Sequence, residues 1–143
     1  MLRNIAIGAI LIFMTTIVHA GGMFLALRPI RDPSAAERSP SQIQRVFSVA
    51  RVVMIMYLVG IVEVLIWGFA YLAFDAVDGF EKAVYFSAVT FTTLGYGDVV
   101  LDGSRRLLSS FEAINGIIMF GWSTAIVIAA VQDAYSRQKT IKL

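Results

Sequence analysis

The chain has 143 residues, of which 58% are hydrophobic and 15% charged, and its mean hydropathy is +0.76. A water-soluble domain runs nearer about 45–50% apolar and about 25% charged, and a chain this short cannot bury so much apolar surface in its own core. This disfavours a soluble enzyme and a disordered chain, while a dispersed net charge of +2 gives no footprint for nucleic acid.

Crossing the hydrocarbon layer takes about 20 apolar residues in a helix. The first such stretch is Ile5–Leu27, interrupted by one ionisable residue, His19. Met1–Ala20 also has the basic start and apolar run of a secretory leader, with Val18-His19-Ala20 ahead of Gly21. Apolar residues resume at once through Met23–Leu27, so the expectation is an uncleaved spanning helix over residues 1–28. Residues 29–51 hold Pro29, Pro33, Pro40 and four arginines, and read as a polar connection. Within it Ile43, Val46, Phe47 and Ala50 recur at helical spacing. Either a short helix lying in the membrane interface or a simple extension of the next span accounts for them.

The second span is Val52–Phe74, with Glu63 midway. After it, Asp78 and Glu81 form a capping-box pattern that predicts a helix over 79–92, too short to cross. Thr93-Leu94-Gly95-Tyr96-Gly97 must end that helix, since two glycines break it. A short helix followed by glycine-rich backbone between two spans reads as a re-entrant loop, buried in protein or lining a wet cavity. The third span covers Leu107–Val131, continues as a helix to 134, and carries Glu112 and Asn115. Residues 136–143 form a short tail. The fold class expected is an all-α membrane protein.

Eight Lys and Arg lie in the 28–51 connection and the C-terminal tail, against four on the opposite side. That bias predicts a cytoplasmic C-terminus and an outward-facing N-terminus and re-entrant loop. Cysteine is absent and histidine occurs once, so disulfides, thiolate sites and His-based metal sites are not expected. No catalytic triad, phosphate-binding glycine loop or metal cluster is visible, and no enzyme activity or soluble cofactor is expected.

Glycines at alternate positions admit backbone angles that L-residues avoid, so successive carbonyls can point to one side. One such strand offers too few oxygens to replace the water shell of a cation, whereas four around an axis offer stacked rings. Thr92-Thr93-Leu94-Gly95-Tyr96-Gly97-Asp98 resembles the signature of the potassium-channel pore family, with Leu94 where Val or Ile is commoner. The likeness covers 52–135 as a pore domain: outer helix 52–74, pore helix 79–92, filter 93–98 and inner helix 107–134. The helix over 1–28 is an addition to it.

The resemblance implies a homotetramer in the cell membrane, surrounded by lipid, conducting K⁺ as its permeant ligand. Carbonyls of Thr93, Leu94, Gly95 and Tyr96, with the Thr93 hydroxyl, would coordinate the ion, and Gly95 and Gly97 would supply the unusual angles. Thr92 would support the filter from its base. Tyr96 would pack against the pore helix. Asp98 would accept a hydrogen bond from Tyr85, which stands where many relatives have Trp. Val89 replaces an acid that some relatives hold behind the filter. Gly116 falls at the position of a hinge glycine, although close packing against the pore helix explains it equally well. Ile117, Phe120, Thr124 and Ile128 share one helical face and would line the cavity. A weakly selective cation channel and a non-conducting regulatory subunit are the alternatives.

Ionisable residues within spans are costly and point to function by default. Glu63 and His19 lie near or below mid-membrane and could pair with one another; Glu63 could equally be protonated, hydrated or paired with a hydroxyl. Glu112 and Asn115 are expected to brace the filter scaffold rather than line the pore.

Overall fold

A chain crossing lipid must satisfy its backbone polar groups within each segment, and this one does so entirely with helices. The computed structural model describes residues 2–28, 41–103 and 105–139, with side chains through 136. Four helices and no strand occur among these residues: α1 (Leu2–Leu27), α2 (Gln42–Ala73), α3 (Phe80–Phe91) and α4 (Arg106–Lys139). Helices α1, α2 and α4 are long and apolar enough to cross a membrane, and α3 is the short element between the second and third spans. The connection at 29–40 and the end of the tail lie outside the described residues.

Helix α2 begins ten residues before the expected span and runs unbroken to Ala73, so the segment after Pro40 is an extension of α2 and not a separate interfacial helix. Its start is a true capping box. Gln44 N–H donates to Ser41 Oγ (3.3 Å), and Ser41 N–H donates to Gln44 Oε1 (2.9 Å).

The expected capping box at Asp78 and Glu81 does not form. Gly79, at φ 85°, is the N-cap and makes no side-chain cap bond, so Asp78 lies one residue too early and Glu81 one position short of N3. Helix α3 still starts where the sequence placed it, with Glu81 in the first turn where the macrodipole favours an acid.

Three spans exposed over most of their surface are not held by apolar burial alone; the buried set also includes Asn4, Thr15, His19, Glu63, Ser87, Glu112 and Asn115. Helix α1 buries Asn4, Gly8, Leu11, Thr15, His19, Gly22 and Ala26, a three-four alternation that keeps one seam on its neighbours. A Cβ at Gly22 would collide with Val59, and one at Gly8 would lie 2.7 Å from Phe111 Cδ2. These glycines let α1 close onto α2 and α4, as small residues do where lipid supplies no drive for helix association. Above them Trp67, Tyr71, Phe86, Phe91 and Met119 form the core holding α3 between α2 and α4.

Candidate functional site

Helix α3 ends at Thr92, whose hydroxyl donates to the Ala88 carbonyl (2.7 Å). The chain then doubles back on the helix end: Leu94 N–H (2.9 Å) and Gly95 N–H (3.3 Å) both donate to the Val89 carbonyl. Beyond this turn Thr93 (φ 59°), Gly95 (φ 57°) and Gly97 (φ 80°) are all left-handed. Left-handed backbone at every second residue removes the alternation of carbonyl direction that an extended strand imposes. For the glycines this is free of steric cost. At Thr93 it costs about 1–2 kcal/mol, and its N–H bond to the Thr90 carbonyl (2.9 Å) helps hold it. Nothing in the residue type signals that strain.

The side chains of this segment project from the chain's surface. Leu94 is 55% and Tyr96 67% exposed in the single chain, so most of the Tyr96 ring is left uncovered. Backbone bonds from Leu94 and Gly95 to the Val89 carbonyl tie the start of the segment to α3. Tyr85 does donate to Asp98, OH to Oδ2 at 2.8 Å, and this hydrogen bond pushes the phenol above its ordinary pKa.

Behind α3 lies a buried brace. Glu112 on α4 accepts from Tyr71 on α2 and from Ser87 on α3, both at 2.5 Å, and Ser87 Oγ also lies 2.8 Å from the Val64 carbonyl. One carboxyl thus joins three helices. Asn115, one turn further along, turns elsewhere: its Nδ2 donates to Thr15 Oγ1 on α1 (2.9 Å).

His19 and Glu63 meet. Nδ1 lies 3.0 Å from Glu63 Oε1, Nε2 lies 3.4 Å from Ser123 Oγ, and the ring sits 5.0 Å from that of Trp122, so the lone histidine joins all three spans.

Gly116 is where α4 crosses the end of α3. A Cβ there would collide with the Phe91 carbonyl oxygen, so close packing accounts for this glycine. Ile117, Phe120, Thr124 and Ile128 do share a face, and all four are exposed in the single chain, with Phe120 edge-on to Phe91 at 5.7 Å. Met119, by contrast, is buried.

A short polar-braced helix, a loop of alternating left-handed residues and two flanking spans make a distinctive unit, and a family model described as ion channel matches residues 59–133, more than half of the chain. The chain belongs to the ion-channel family. No curated protein and no solved structure matches it. The ion channel is a multi-pass membrane protein, and the matched stretch runs from mid-α2 to near the end of α4. Helix α1 lies outside that stretch and is fastened to it through Thr15–Asn115 and His19–Glu63.

Proposed function

We propose that the channel conducts K⁺ selectively and passively, as a homotetramer whose four 93–98 segments surround one axis. The observation that carries this reading is the run of left-handed residues at Thr93, Gly95 and Gly97, directly after a short helix held within the bundle. With carbonyl direction freed from alternation, four copies supply rings of oxygens from Thr93, Leu94, Gly95 and Tyr96 that stand in for the hydration shell. Exposure of Leu94 and Tyr96 agrees with neighbouring copies covering them. The C-terminal end of α3 adds partial negative charge beneath the filter. Ile117, Phe120, Thr124 and Ile128 line the cavity below.

The bias of positive residues orients the channel with its N-terminus and filter outward and its C-terminus in the cytoplasm of a cell-membrane protein. The five acids and three bases of Asp75–Arg106 leave the outer mouth mildly negative, which concentrates cations.

The test is the reversal potential of the purified channel in a planar bilayer under a K⁺/Na⁺ gradient. A value at the K⁺ equilibrium potential supports the reading, and a value near zero with sustained current refutes selectivity. Gly95→Ala, which forces a Cβ onto left-handed backbone, is expected to abolish flux while cross-linking still yields four rungs.

A further inference from the structure

The 111–116 stretch of α4 carries two adjacent stripes that seat different helices. Phe111 and Asn115, four apart, face α1: the Phe111 ring lies against Gly8, where a Cβ would stand 2.7 Å from Cδ2, and Asn115 Nδ2 donates to Thr15 Oγ1 at 2.9 Å. Glu112 and Gly116, also four apart, face α3: Glu112 accepts from Ser87, and Gly116 lies against the Phe91 carbonyl. Thr93 follows Phe91 by two residues, and the Leu94 and Gly95 N–H groups bond the Val89 carbonyl of α3. Whatever seats α3 therefore seats the start of the 93–98 segment.

Neighbouring residues stand about 100° apart around a helix, so a rotation of α4 cannot change one stripe and spare the other. A turn of about 10° displaces atoms about 5 Å from the helix axis by about 0.9 Å. That is enough to part the 2.5 Å bond from Ser87 to Glu112. The stripe facing α1 fixes the angle. Thr15 is fully buried, and its hydroxyl proton goes to the carbonyls of Leu11 and Ile12, both at 3.0 Å, which leaves a lone pair for the Asn115 amide. Asn115 is buried as well, and an amide N–H in that setting is costly to leave unpaired. The bond to Thr15 thus holds α4 at one rotation.

We propose that Thr15, which lies outside the 59–133 stretch shared with the ion-channel family, is a positioning residue for the filter, acting through Asn115 and the rotation of α4. Filter carbonyls replace a hydration shell only while the four copies keep their spacing, so a displaced α3 weakens discrimination between K⁺ and Na⁺. The effect on selectivity rests on the potassium reading; the coupling of α1 to α3 does not.

The experiment measures K⁺/Na⁺ reversal potentials of the purified channel in planar bilayers. In Thr15→Val, which keeps the shape and removes the acceptor, Na⁺ permeability relative to K⁺ is expected to rise at least threefold. Thr15→Ser keeps the oxygen and is expected to show the wild-type ratio. Thr16→Val is the control, because the Thr16 hydroxyl donates to the Ile12 carbonyl of its own helix (2.7 Å). Gly8→Ala presses on the same stripe through the Phe111 ring and is expected to give the same rise, which guards against a Thr15 variant that fails to assemble. A wild-type ratio in Thr15→Val or Gly8→Ala, or an equal rise in Thr16→Val, overturns the proposal. A second measurement does not depend on selectivity. Thr15→Val and Ser87→Ala, at residues that share no hydrogen-bond partner among those described, are combined in thermal unfolding. Independent sites add, so a combined shift in unfolding temperature different from the sum of the single shifts is expected, and an additive shift overturns the coupling. Non-additive unfolding in a channel that does not select K⁺ supports the coupling and removes only the potassium reading.

Discussion

Alanine at Gly116 is the sharpest perturbation the fold offers, because the obstacle is backbone. The new methyl would stand 2.9 Å from the Phe91 carbonyl carbon, 3.2 Å from its Cα, and closer still to its oxygen. Comfortable carbon contacts lie near 3.5–4.0 Å, so α4 must retreat from the end of α3 by about 1 Å or more. Overpacking that side chains can absorb costs about 1–3 kcal/mol. Here no rotamer can yield, which puts the cost at or above about 3 kcal/mol, offset by about 1 kcal/mol of helix propensity. A net loss of about 2 kcal/mol is expected. Thermal unfolding of the purified channel in mild detergent measures it, with Gly121→Ala as control on the same helix. A Cβ at Gly121 meets nothing within 4 Å, so that variant is expected to be neutral or slightly stabilised. Equal unfolding temperatures for the two variants would refute the argument that α3 and α4 meet at this glycine. Since the displaced contact is two residues from Thr93, reduced ion flux is expected to accompany the lost stability.

Glu112→Ala removes the acceptor of Tyr71 and frees Ser87 to bond only the Val64 carbonyl. A loss of about 2–4 kcal/mol is expected in the same unfolding assay, with Glu112→Gln milder because it keeps volume and polarity. His19→Ala strands Glu63 with no partner, at a cost of about 3–5 kcal/mol; a double-mutant cycle with Glu63→Gln that shows no coupling would contradict the pairing. Beside the 93–98 segment, the neutral Tyr85 phenol is the form that donates to Asp98, which raises its pKa above 10.0. The contact is therefore complete below pH 10 and disappears as pH rises through the raised value. Ultraviolet titration of tyrosinate is expected to show this phenol ionising at lower pH in Asp98→Asn.

The three spans and the short fourth helix were legible because length and hydropathy decide what can cross lipid, and Asp78–Thr92 was short enough to be told apart. Helix starts were harder. Ser41 and Gln44 stand at true capping-box spacing yet lie beside a proline-rich stretch whose composition reads as a linker. Asp78 and Glu81 show the same spacing one residue out of register, because Gly79 takes the cap. The seam of α1 was hidden for a different reason. In lipid the apolar faces look outward, so Asn4, Gly8, Thr15 and Gly22 mark the packed face precisely where a hydrophobic pattern falls silent. The three-helix role of Glu112 could not be read either, since Tyr71 and Ser87 are 41 and 25 residues away in sequence. Exposure of Tyr96 depends on tertiary geometry of a single chain, which spacing does not encode.

Helix α2 contains 32 residues, about 48 Å at 1.5 Å per residue, set in a hydrocarbon layer about 30 Å thick. It has no proline, the commonest cause of a kink. Its first ten residues therefore act as an oar roughly 15 Å long beyond the membrane, lying beside Val131 and Tyr135 of α4. A spanning rod answers a change in bilayer thickness by tilting, and about 5° of tilt sweeps the oar's blade by about 1 Å at that length. Stretching or thinning of the lipid is in this way converted into sideways motion against the C-terminal end of α4.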